Sequence, residues 1–150
     1  GDGLRNGEAA IVIATASHLT WLEARLRDAG HDLEGARAAG AYIGLDAAGT
    51  LARFMVGGWP DAARFAAVIR EVVAQAKRGG RKVRAFGEMV ALLWGQGHNG
   101  ATVQLEHLWS ELCASDSLAL FCAYPRIGAT RDLGDSLAEV CALHTKVALA

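Results

Sequence analysis

The chain has 150 residues, 52% of them hydrophobic and 21% charged, and its formal net charge is -1. That length suits one domain, residues 1–150, with a core large enough to need neither disulfide nor metal. The composition excludes a disordered chain, and the near-neutral charge argues against a dedicated nucleic-acid binder.

Residues 1–7 are polar and glycine-rich. Residues 9–15, AAIVIAT, form a continuous apolar and β-branched run, the pattern of a strand buried on both faces. Ser17 can cap a helix over 18–29, with Leu19, Leu22 and Leu26 on one face and Gly30 as its stop. A second short helix is expected over 32–39, closed by Gly40. Residues 41–45, AYIGL, read as another strand. The stretch 47–56 is ambiguous between loop and helical turn, and Gly57-Gly58-Trp59-Pro60 breaks the chain.

Asp61 opens the clearest helix. Ala62, Phe65, Ala66, Ile69, Val72, Val73 and Ala76 make an apolar stripe at spacings of three and four. Lys77 and Arg78 suit its last turn, and Gly79 ends it. A third strand is expected over 83–87, then a Gly-Glu-Met turn and a short apolar helix to Trp94. Another helix covers 101–113, with Ala101, Leu105, Leu108 and Leu112 inward. A fourth strand covers 118–124, a loop 128–132 and a last helix 133–144, with Leu137, Val140 and Cys141 inward. Residues 147–149 read as a tail or a short edge strand.

Strands alternate with helices and no tight hairpin stands out. The order implies βαβ crossovers, and hence an α/β fold: a mostly parallel sheet of four or five strands flanked by helices.

The three cysteines, Cys113, Cys122 and Cys141, lack framework spacing, which points to reduced thiols in a cytoplasmic protein. No apolar run reaches the roughly 18 to 20 residues of a membrane helix, so no membrane partner is expected.

The chemical motifs are thin. No GxxxxGK[ST] loop is present and no GxGxxG follows a strand, so nucleotide binding and a cofactor are not expected. Lys77, Arg78, Arg81, Lys82 and Arg84 read as a solvated helix end and turn, with a phosphate patch as the alternative. Cys141 and His144 share a helix face at i, i+3 but make only two metal ligands, so no metal is expected. No Gly-x-Ser-x-Gly elbow occurs.

Glu88 is the best single candidate. In a parallel α/β fold it stands at the carboxyl end of a central strand, where such folds place their sites. One reading makes it the polar point of a pocket walled by Met89, Trp94, Trp59 and Tyr124. The other makes it an anion at the start of the helix that follows it.

Taken in order, GLRNGEAAIVIAT, AGHDLEGARAAGAYIGLDA, WPDAARF, FGEMVALLWGQG, LEHLWSELC, LALFCAYP and EVCALHTKV resemble the MEDS domain, the methanogen/methylotroph sensory domain. The resemblance spans the chain. It implies a KaiC/RecA-like α/β fold without a P-loop and a regulatory rather than enzymatic role. The ligand is expected to be small and largely apolar, or a protein partner, and the output a linked histidine kinase or transcription regulator. The match carries Glu88 over as a signature residue, with Tyr124 and His144 beside it. It also implies a strand ahead of Gly-Leu-Arg-x-Gly-Glu that this chain is expected to lack. A missing strand leaves a sheet gap or exposed edges, so a homodimer is a further expectation. A pure dimerisation module and a degenerate nucleotide binder are the alternatives.

Overall fold

The computed structural model describes residues 1–124 together with Ala142. The expected loop 128–132, helix 133–144 and tail 147–149 lie outside the described residues, and so does His144. Four strands form one sheet in the order β2-β1-β5-β6: β1 is Ala9–Ala14, β2 Tyr42–Asp46, β5 Val83–Gly87 and β6 Ala119–Cys122. Every neighbouring pair is parallel. β1 is central, with Ile11 opposite Ile43 on one side and Ala85 on the other. The described sheet has no gap.

The β-branched run of β1 has the burial predicted for it. Ala9, Ile11 and Ile13 face one core, while Val12 and Ala14 face another, as the period of two in a strand requires. The larger core takes α4 (Ala47–Ala52), α5 (Ala62–Ala76), α6 (Met89–Gly95) and α7 (Asn99–Asp116). The smaller takes α2 (Ala16–Asp28) and α3 (Leu33–Ala38), with Leu26, Leu33 and Tyr42 buried. A single turn, α1 (Asp2–Arg5), precedes β1 where the sequence showed only polar glycine-rich chain.

In the larger core the Phe65 ring meets Phe54 at 5.3 Å and Trp109 at 5.1 Å, both edge to face. Such pairs add about 0.5–1.5 kcal/mol each to the burial itself. Asp61 caps α5 by accepting from Arg64 N at 2.8 Å, as expected. The stripe on α5 differs in part: Val68 is buried, while Ala62 is exposed. α7 starts two residues earlier than predicted, and Trp109 joins its inward face.

The smaller core is closed by charge. Glu23 on α2 accepts from Arg37 of α3 at 2.6 Å and from the Tyr42 hydroxyl of β2 at 3.2 Å. Arg37 also reaches Glu34 at 2.9 Å and lies over the Tyr42 ring at 5.4 Å. Burial, then Glu23, pushes the Tyr42 phenol far above its ordinary value.

Two local expectations are corrected. Ser17 does not cap α2: Thr15 holds the N-cap position and makes no side-chain cap bond. The ambiguous stretch 47–56 is α4, capped by Asp46 through Gly49 N at 2.7 Å, followed by β3 (Met55–Val56). β3 pairs antiparallel with β4 (Trp59–Pro60), a tight hairpin where none was expected. Its turn residues Gly57 and Gly58 have φ of 57° and 84°. Both positive, these are the angles a two-residue hairpin turn needs and glycine supplies without strain.

Of the basic cluster, Lys77 donates to the Asp116 carbonyl, joining the ends of α5 and α7, and Arg84 pairs with Glu8. Both are thereby used inside the fold.

Candidate functional site

The chain leaves β1 towards β2 on one side of the sheet, and leaves β5 towards β6 on the other. Where two adjacent parallel strands send their chains opposite ways, a crevice opens at their carboxyl ends, and ligands of open α/β sheets collect there. Thr15 and the first turn of α2 stand on one lip of that crevice. Glu88 stands on the other.

Glu88 crosses it. Its carboxylate accepts from Thr15 N at 3.0 Å through Oε2 and meets His18 Nδ1 at 2.7 Å through Oε1. Its own N–H donates to the Ile13 carbonyl at 2.9 Å. A carboxylate only accepts, so the His18 bond requires the ring proton on Nδ1 and leaves Nε2 as the free ring nitrogen. The side chain of Glu88 is 12% exposed and that of His18 64%. Glu88 occupies the N-cap position of α6 but makes no side-chain bond to that helix. Its negative charge lies instead at the N-terminus of α2, a favourable place for it.

A second polar cluster lies along β6. Glu106, on α7, is only 2% exposed. Its carboxylate accepts from the Tyr124 hydroxyl, and the Cys122 thiol lies 3.9 Å from Oε2. The Tyr124 ring meets Trp94 edge to face at 5.8 Å. Burial, reinforced by the Glu106 charge, pushes both the Cys122 and the Cys113 thiols up. Neither thiol is thereby primed as a nucleophile.

Elsewhere, on the flank of the larger core, runs a groove of about 290 Å³, lined by none of the residues of these two clusters. Ala48, Leu51 and Ala52 of α4 form one wall, and Leu92 and Leu93 of α6 with Gln96 just past its end the other. Met55 and Gly58 of the hairpin close one end, and His98 stands at the rim. The walls are apolar with two polar points, and the groove is open to solvent, with Ala48, Ala52 and Gln96 exposed.

The sequence-derived candidates are thus divided. Trp94 and Tyr124 touch each other. Glu88 and Met89 are chain neighbours, but Met89 is fully buried in the larger core while the Glu88 carboxylate turns to α2. Trp59 is 52% exposed on the hairpin and lies over the start of α7, where a Cβ on Gly100 would fall 2.8 Å from its ring. Sequence reasoning missed three groups: His18 and Thr15, which bond to Glu88 from some seventy residues away, and Glu106. Glu106 carried a faint signal, since it follows Leu105 and precedes Leu108 on the inward side of α7. The other two carried none. Among the described residues no group of three His, Cys, Asp or Glu side chains is arranged to hold a metal, and no helix is long and apolar enough to cross a membrane.

Comparison with known proteins accords with the sequence resemblance. No curated protein and no solved structure matches the chain. The family model described as MEDS, the MEthanogen/methylotroph, DcmR Sensory domain, matches residues 1–145. The chain belongs to the MEDS family of sensory domains.

Proposed function

We propose that this chain is a cytoplasmic, non-enzymatic input domain that binds a small, largely apolar molecule and passes its state to a linked or separate signalling protein, such as a histidine kinase or a transcription regulator. The observation that supports this most is the groove between α4 and α6, apolar on both walls, with Gln96 and His98 to orient one polar group. A space of this size suits a molecule of benzene or butanol dimensions. The raised thiols of Cys113 and Cys122 and the bonded Glu88 favour binding over covalent chemistry.

A thermal-shift series with benzene, n-butanol and 2-butanone tests the reading. Saturation near a hundred times Kd adds about 2.7 kcal/mol of stability, and the gain disappears in Ala52→Phe, which fills the groove. Equal shifts in both proteins, or none in either, would sink it.

A second reading, a homodimerisation module, is favoured by Phe121. It lies on β6, at the end of the described sheet, 62% exposed and stacked on Phe86 at 5.9 Å. Sedimentation equilibrium of wild type and Phe121→Ser decides it: this reading requires a dimer that the substitution weakens.

A further inference from the structure

We infer that Glu88 is a latch through which occupancy of the α4–α6 groove reaches the outer surface of α2. The trigger rests on the ligand reading above, while the path rests on geometry that needs no ligand.

The path begins at Leu92, a wall of the groove. Its N–H donates to the Glu88 carbonyl at 3.1 Å. Of the three residues between the two, Met89 and Val90 are 0% exposed and Ala91 is half-buried, and close packing at the first two leaves little room to absorb a displacement. A shift of Leu92 is therefore carried to Glu88. From Glu88 the carboxylate crosses the end of the sheet to Thr15 N and His18 Nδ1. The groove adjoins the larger core and α2 adjoins the smaller one, so this side chain joins the two faces of the sheet.

The latch has two states. Closed, it supplies charge-assisted bonds to the start of a helix that has no side-chain cap of its own. Released, it returns Thr15 N–H and the His18 ring to water, and the first turn of α2 loses its anion. From His18 in that turn an exposed stripe runs on into the next two turns of α2: Trp21, 64% exposed, with the Arg25 guanidinium 5.7 Å above its ring. Trp and Arg are the residues that most often anchor protein contacts. A ligand that fits the groove better in one state biases the shape of this stripe by its difference in affinity alone.

The test fills the groove without a ligand. Ala52→Leu and, separately, Ala48→Met add bulk at positions exposed on α4. Methyl signals of Leu92 and Leu93 report that the groove is filled. Hydrogen exchange at the Thr15 amide and the ring-nitrogen shifts of His18 report the latch. The expected result is a loss of Thr15 protection of roughly tenfold, as for about one charge-assisted hydrogen bond, with the His18 Nδ1 signal losing its hydrogen-bonded shift. In a Glu88→Ala background the same filling should change neither signal further. Shifted Leu92 methyls with an unchanged Thr15 amide and His18 ring would overturn the latch. Failure of benzene, butanol and butanone to bind would overturn the ligand reading and leave this result untouched.

Discussion

On one side of the sheet Phe54, Phe65 and Trp109 interlock edge to face. On the other, Tyr42 is covered by Glu23 and Arg37, and the start of α2 is tied down by Glu88. The first side draws its stability from buried apolar area, which no change of charge or hydrogen bonding at the surface can release. The second draws more of its order from a few charged contacts at the surface, each of which one event can break. A domain that must report a change needs both: a side that stays still and a side that answers.

The contrast can be broken by substitution. The largest effect belongs to Trp109→Ala, which empties the middle of the larger core and should lower stability by about 3–5 kcal/mol, read by urea denaturation. A loss below about 1 kcal/mol would mean that the larger core is not the rigid side. Next comes Glu23→Ala. It leaves the Tyr42 hydroxyl without its acceptor and the Arg37 guanidinium with Glu34 alone, and should cost about 1–3 kcal/mol. The loss should be confined to α2 and α3 in residue-level hydrogen exchange.

Glu88→Ala comes third, at about 1 kcal/mol, the usual worth of such a helix-terminal anion and its bonds. Its signature is local, an exposed Thr15 amide with the β1–β2 register intact. The smallest effect is Glu8→Gln. Arg84, first through its hydrogen bond and then through its charge, holds the Glu8 carboxyl below the usual range. The stability this pair contributes is therefore complete above the ordinary glutamate value of about 4.3 and fades as pH falls through the lowered one. Glu8→Gln should flatten that acid limb by removing the pair's small contribution at neutral pH, and leave stability at low pH, where the carboxyl is protonated anyway, unchanged. A shift at pH 7 comparable to that of Glu23→Ala would show that β1 and β5 depend on surface charge after all.

How much of this was legible depends on how local the signal is. AAIVIAT reads as a doubly buried strand because its period and β-branching lie within seven residues. Asp61 reads as a cap because its partner Arg64 N is three residues away. The hairpin was hidden because strands of two residues carry no periodicity, although Gly57-Gly58 supplied the right turn. Ser17 looked like the cap of α2 because serine is a good one. The structure satisfies that helix from Glu88 instead, and nothing in residues 15–18 names a partner near residue 88. The acid at the end of β5 was therefore recognisable as unusual. Its bonding was not, because both readings of it assumed a neighbour in sequence or an outside molecule.

Trp59 and Gly100 carry one more consequence. The indole rests where residue 100 has no side chain, and Gln104 pins the same hairpin through the Pro60 carbonyl at 2.8 Å. Gly58, at the turn beside Trp59, closes an end of the groove. Even a methyl at residue 100 would push the far end of that ring off the start of α7. The seat of the hairpin's indole on α7 is thus set by an atom that glycine leaves out.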